Sequence, residues 1–90
     1  MKAIVCKTFG KEPRELLSLE NDWEKPQPDQ RDSVLIRVLT CSISPGDWRN
    51  MNGSTAYVRS PPSFPFIPCH DVCGIVEVAP EDSGFKPGDR

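Results

Sequence analysis

The chain alternates between short apolar runs and polar segments rich in proline. Residues 2–8 and 71–79 alternate between two faces and predict strands. Residues 33–43, SVLIRVLTCSI, are apolar on both faces and predict a central strand. Residues 15–20, ELLSLE, fit either a strand or a short helix, and we favour the strand. The pattern therefore predicts a protein built mainly from short strands.

One segment carries the start and stop signals of a helix. In 44–53, SPGDWRNMNG, Ser44 stands at the N-cap and Pro45 at the first helical position. Asp47 follows the cap by three residues, as in a capping box, and Gly53 is placed to end the helix. We predict a short helix that begins after Ser44.

Turn residues separate the predicted strands. Ten prolines lie mostly between the apolar runs, and 24–32 reads as a surface connection. Near the C-terminus, FKPGDR places Pro87 and Gly88 at the two central positions of a type II turn. Strands at this spacing predict a small antiparallel barrel or sandwich.

Charge and composition narrow the choice of partners. The net charge is −2 with both signs scattered, so we expect no nucleic acid and no membrane as partner. No apolar run has the length of a signal-peptide core or a membrane span, and we expect a cytoplasmic protein. In such a compartment the four cysteines would be thiols.

Four motifs in series, MKAIV, VLTCSISPGDWR, FPFIPCHDVCGIVEV and SGFKPGDR, resemble the medium-chain dehydrogenase/reductase superfamily, and most closely its zinc-free quinone oxidoreductase-like branch. The resemblance implies a mainly β, GroES-like, partly open barrel with one short helix, incomplete at its C-terminal end. Residues 1–90 would be the N-terminal portion of the catalytic domain, with the Rossmann cofactor domain absent. The six glycines indeed never give the GxGxxG spacing of a dinucleotide site.

The resemblance also implies an activity. It points to a zinc-independent oxidoreductase that transfers a hydride from NADPH to a conjugated carbonyl, with a small carbonyl or quinone as substrate, and we expect residues 1–90 to be inactive alone. Zinc-binding relatives have a Cys-His pair where this chain has Ser44 and Pro45, so we expect no zinc. The alternative is a standalone barrel that binds proteins, or associates with itself as a homo-oligomer, through exposed strand edges.

Several residues match positions of the family's site. Ser44, Tyr57 and His70 are implied as catalytic hydrogen-bond donors, and Ser44, Asp47 and Trp48 as cofactor-binding residues. Each also has an ordinary structural interpretation. Ser44 and Asp47 would form the capping box, Tyr57 would be an exposed loop residue, Trp48 would pack in the core, and His70 would be a hydrogen-bonded structural residue.

The CHDVC segment raises the question of metal or redox chemistry. Cys41, Cys69, His70 and Cys73 could in principle hold zinc, but CHxxC is not a usual zinc spacing and neighbouring extended residues point apart. We favour buried, inert thiols over either chemistry. Cys69 stands where the family usually has glycine, which implies an unusual backbone conformation there.

Overall fold

The computed structural model describes residues 1–28, 32–56, 58 and 63–90. The described residues form four strands and two helices, in the order β1 (Ala3–Cys6), α1 (Pro13–Leu16), β2 (Leu17–Glu20), β3 (Leu35–Ser42), α2 (Pro45–Asn52) and β4 (Asp71–Val78). They divide into two compact units. Unit 1 comprises Met1–Glu24 and Ser42–His70, and unit 2 comprises Lys25–Cys41 and Asp71–Arg90.

In unit 1, strands β1 and β2 pair antiparallel, with Ile4 opposite Leu19. Helix α1 lies in the connection between these strands and begins at Pro13, whose fixed φ suits a first helical position. The 15–20 segment is therefore helical up to Leu16 and a strand from Leu17 onward, so the predicted strand is correct only for its second part. Leu16 turns inward from this helix and is buried.

A small apolar cluster forms the core of unit 1. Cys6, Leu16 and Met51 are its buried members, and Leu17, Trp48 and Phe66 pack against it. Cys6 and Phe66 also exchange two backbone hydrogen bonds, of 2.8 and 3.0 Å, which attach the segment before His70 to β1. The core thus joins β1, α1, α2 and the FPFIP segment into one unit.

Unit 2 contains a two-stranded sheet of β3 and β4. The strands approach closely at Gly74, where an added Cβ would lie 2.3 Å from the carbonyl oxygen of Arg37. Glu77 binds Lys25 at 3.2 Å and Arg37 at 3.6 Å, which ties the connecting segment to both strands. The predicted turn at Pro87–Gly88 is confirmed, because Gly88 has a φ of 95° and the N–H of Asp89 donates to the oxygen of Lys86.

The mainly β architecture is confirmed, but two predictions were wrong in detail. The described residues contain two helices rather than one, since α1 precedes α2. Strand β3 is not central. Within the described residues it pairs only with β4, and Val38 and Leu39 are 52% and 48% exposed. A chain of this size buries too little surface to cover both faces of every apolar strand.

The described strands form two separate two-stranded sheets and no closed barrel, which is consistent with part of a GroES-like domain. Helix α2, with eight residues, is the longer of the two described helices. No helix in the described ranges is long and apolar enough to cross a membrane.

Candidate functional site

The N-terminus of α2 forms the capping box that the sequence predicts. Ser44 is in an extended conformation, and its hydroxyl accepts a hydrogen bond from the backbone N–H of Asp47 at 3.4 Å. In return, Oδ2 of Asp47 accepts from the backbone N–H of Ser44 at 2.8 Å and from its hydroxyl at 3.0 Å. At the other end, Gly53 adopts the left-handed conformation (φ 84°) that closes a helix.

The second carboxylate oxygen of Asp47 reaches a different part of unit 1. Oδ1 accepts the backbone N–H of Cys69 at 3.2 Å and also contacts Nδ1 of His70, 23 residues along the chain. Asp47 therefore connects the start of α2 with the CHDVC segment. We call Ser44, Asp47, Cys69 and His70 the Asp47 junction.

Asp47 is fully buried, whereas the His70 side chain is 60% exposed. Burial alone would raise the pKa of the Asp47 carboxyl. The hydrogen bonds from the Ser44 backbone, the His70 ring and the Ser44 hydroxyl, together with the charge that His70 can carry, outweigh burial and lower this pKa below its usual value. Asp47 is thus a buried carboxylate, ionised at neutral pH, with four donors around it.

Cys69 adopts the unusual backbone that the resemblance implies. Its φ is 81°, the only positive φ of a non-glycine residue in the described part of the chain. This conformation costs a side-chain-bearing residue about 1–3 kcal/mol. It directs the Cys69 N–H to Oδ1 of Asp47, so the strain accompanies a contact of the junction.

The other predicted site residues have different environments. Trp48 is half-buried and packs against the core cluster of unit 1, as its structural interpretation requires. Tyr57 lies outside the described residues. The structure therefore brings Ser44, Asp47 and His70 together, whereas Trp48 serves the core.

None of the four cysteines is in a disulfide, as predicted, but they are not uniformly buried. Cys6 is buried and Cys69 is intermediate, whereas Cys41 and Cys73 are exposed. The prediction of a buried Cys73 was therefore wrong, because β4 leaves that position uncovered. Over the ranges that the structure describes, no three His, Cys, Asp or Glu side chains form a group that could hold a metal ion.

Sequence reasoning found the members of the junction but not the contact between Asp47 and His70. The contact could have been predicted from the second carboxylate oxygen of Asp47. A capping box uses one carboxylate oxygen, and the second oxygen of a buried carboxylate must also find donors. His70 and Cys69, at the end of a proline-stiffened run, supply them.

Chemically, the junction offers one exposed imidazole held by a buried carboxylate and one hydroxyl at a helix N-terminus. Both groups can orient a polar ligand, and the imidazole can also exchange a proton with it. They lack the three protein ligands that a catalytic zinc ion generally takes.

Comparison with known proteins identifies the family of the chain. Residues 30–90 match the family model of the alcohol dehydrogenase GroES-like domain. A quinone oxidoreductase of Sus scrofa is 38% identical over 96 residues, covering 100% of this chain and 26% of that protein. The NADPH-dependent alkenal/one oxidoreductase of Arabidopsis thaliana chloroplasts is 32% identical over 91 residues, covering 100% of this chain and 22% of that protein.

A chloroplastic quinone oxidoreductase of Triphysaria versicolor is 38% identical over 66 residues, covering 72% of this chain and 20% of that protein. The chain thus spans about a quarter or less of the length of these relatives. The matched family model covers most of the chain. The chain belongs to the alcohol dehydrogenase GroES-like domain family, in the quinone oxidoreductase-like part of the medium-chain dehydrogenase/reductase superfamily.

Proposed function

We propose that this chain is the N-terminal portion of a zinc-independent, NADPH-dependent reductase of quinones or enones. The Asp47 junction is the observation that carries the proposal. It brings together three of the residues that the family resemblance assigns to the site, Ser44, Asp47 and His70. The names of the relatives, quinone oxidoreductase and NADPH-dependent alkenal/one oxidoreductase, support the choice of substrate class and cofactor.

The residues present indicate which part of the reaction the cofactor and the chain would each perform. Bound NADPH would supply the hydride. The chain's own groups would orient the carbonyl compound and stabilise the negative charge that develops on its oxygen. No GxGxxG spacing occurs in the sequence, so we assign most of the nucleotide binding to a further domain of a longer polypeptide.

Zinc independence rests on the donor set. Ser44 and Pro45 follow shortly after β3, and the proline has no side-chain donor while the serine is used in the capping box. The ring of His70 is held through Nδ1 by Asp47 and could offer a metal only its other nitrogen. One imidazole does not make a catalytic zinc site.

The experiment begins with the natural length of the protein. We expect the intact mass of the endogenous protein to be several times the 10.1 kDa of this chain. That longer protein, purified, should oxidise NADPH with a quinone or an enone and keep this activity after treatment with a zinc chelator. The 90-residue chain is the matched control and should be inactive. A requirement for zinc combined with alcohol oxidation would overturn the proposal.

A second candidate function has its own observation. Side chains of β3 and β4 are apolar and exposed, among them Val38 (52%), Leu39 (48%) and Val72 (48%). We propose as the alternative that the chain works as a protein-binding or self-associating module through these strands and their open edges. It predicts dimers or larger assemblies in sedimentation experiments. A strictly monomeric chain at high concentration would contradict it.

A further inference from the structure

The hydrogen-bond donors around Asp47 determine what each group of the junction can still do. A carboxylate can only accept hydrogen bonds, so each of its four contacts must come from a donor. Oδ2 takes the backbone N–H and the hydroxyl of Ser44. Oδ1 takes the N–H of Cys69 and Nδ1 of His70. Both oxygens are thus occupied by donors from the protein itself.

For Ser44 this arrangement removes the capacity to donate. A hydroxyl has a single hydrogen, and that of Ser44 points to Oδ2 of Asp47. The oxygen also accepts from the backbone N–H of Asp47, which leaves one lone pair. Ser44 can therefore accept a hydrogen bond from a ligand but cannot donate one to a carbonyl oxygen while the capping box is intact.

For His70 the same reasoning determines the tautomer. Because Asp47 only accepts, Nδ1 of His70 must carry a hydrogen. The neutral ring then has its lone pair on Nε2, and only the protonated ring has a hydrogen there. Among the described residues, Asp47 is the charged group in contact with this ring, while Asp71, the next residue, is exposed.

We propose that His70 delivers the proton that accompanies hydride transfer, and that Asp47 is the positioning residue that holds its ring for this step. This inference rests on the proposed function. Bound NADPH would supply the hydride for the new C–H bond of the conjugated carbonyl compound, whose oxygen would gain the displaced electron pair. The Nε2–H bond of the His70 imidazolium then breaks, and the proton passes to the reduced substrate. Neutral His70 remains with Nδ1–H on Asp47.

The exposure of His70 suits a group that must be reloaded. Its side chain is 60% exposed, so solvent can return a proton to Nε2 after each turnover. Asp47, in contrast, is fully buried and remains ionised, because its donors lower the pKa of the carboxyl. The exposed group therefore carries the proton, and the buried group fixes the geometry.

The tautomer can be tested on the 90-residue chain without any assay of activity. His70 is the sole histidine, so its two ring nitrogens are assigned without ambiguity in ¹⁵N NMR spectra. Above the pH at which the ring loses its charge, we expect the proton on Nδ1. The variant Asp47→Asn should lose this preference. A neutral ring with its proton on Nε2 in the unsubstituted chain would overturn the inference.

The proton transfer itself is tested in the longer reductase. We expect His70→Gln to lower kcat/KM by about 10²-fold, the lower end of typical general acid catalysis. In the unsubstituted enzyme kcat/KM should fall as rising pH removes the imidazolium, and in His70→Gln this decrease should disappear. Lys11→Gln, at an exposed position of unit 1, is the matched control and should leave both rate and pH profile unchanged.

The outcomes separate the two proposals. If the unsubstituted protein reduces no quinone or enone with NADPH, the proposed function fails and this inference fails with it. If it is active and His70→Gln keeps both its rate and its pH profile, only the role of His70 is overturned. Loss of rate with an unchanged pH profile would also overturn it, because His70 would then have a structural role.

Discussion

Unit 1 and unit 2 are each stabilised internally by a different kind of interaction. In unit 1 a buried carboxylate, Asp47, satisfies four donors from two distant segments, next to a small apolar cluster. In unit 2 two apolar strands pair with each other, yet Val38 and Leu39 remain about half exposed. Specific hydrogen bonds can fix a local geometry with few residues, whereas apolar strands need further layers to cover them. Removing one residue should therefore have a large effect in unit 1 and a small one on the exposed faces of unit 2.

The largest effect is expected from Asp47→Ala. The variant keeps Ser44 as the N-cap but removes the carboxylate half of the capping box. It leaves the part-buried N–H groups of Ser44 and Cys69 without their acceptor, at about 1–3 kcal/mol for each unsatisfied group. We expect the free energy of unfolding to fall by about 3 kcal/mol, measured by urea denaturation with tryptophan fluorescence. Asp22→Ala, at an exposed position of the same unit, should change it by less than about 0.5 kcal/mol. Equal losses in the two variants would show that the hydrogen bonds of Asp47 make no special contribution to the stability of unit 1.

A local effect on unit 2 is expected from Gly74→Ala. The new Cβ would lie 2.3 Å from the carbonyl oxygen of Arg37 and 2.6 Å from Cγ2 of Ile36, and a backbone atom cannot move aside without separating the strands. We expect a loss of about 2 kcal/mol, within the range typical of overpacking. Amide NMR shifts should change mainly in unit 2.

Gly84→Ala is the control that introduces backbone strain without steric overlap. An added Cβ there meets nothing within 4 Å, but Gly84 has a φ of 79°. Backbone strain alone should then cost about 1 kcal/mol. A smaller loss in Gly74→Ala than in Gly84→Ala would show that β3 and β4 are not closely packed at this point.

The free energy of unfolding should also depend on pH through Asp47. We expect the loss at low pH to be smaller than the loss in Asp47→Ala. The folded structure lowers the pKa of this carboxyl below its value of about 3.9 in an unfolded chain. Its contribution is therefore complete above that value and is lost as the pH falls through the lower, folded pKa. Denaturation curves measured below about pH 4 should show a decreasing free energy of unfolding. Asp47→Asn should reduce this slope, and an unchanged slope would assign the effect to other carboxylates.

Sequence reasoning succeeded where the determinants are local. The alternating runs gave the strands, and Ser44, Pro45, Asp47 and Gly53 gave α2 with its caps. It failed for β3, because an apolar pattern shows which side chains could be buried and not which layers are present to cover them. The contact of Asp47 with His70 was missed because it joins residues 23 positions apart, and no local pattern encodes that distance.

A smaller effect is expected at Cys69, where backbone strain and side chain can be separated. With a φ of 81°, this position strains any residue that has a Cβ. Cys69→Gly removes the strain and the thiol, whereas Cys69→Ala removes the thiol alone. We expect the glycine variant to be more stable than the alanine variant by about 1 kcal/mol, the reverse of the order at ordinary positions. If alanine is the more stable, the positive φ is not retained in solution.

The smallest effect is expected from Val38→Thr on the exposed face of β3. The substitution keeps the branched shape that strands favour, and because Val38 is 52% exposed the new hydroxyl can reach water. We expect the free energy of unfolding to change by less than about 0.5 kcal/mol. Val5→Thr is the matched control, since Val5 is fully buried in β1 and its hydroxyl would need a partner there, which predicts a loss of about 1–3 kcal/mol. A comparable loss at both positions would mean that β3 is covered in solution, as self-association through this face would produce. In that case the loss at Val38 should diminish on dilution, whereas the loss at Val5 should not.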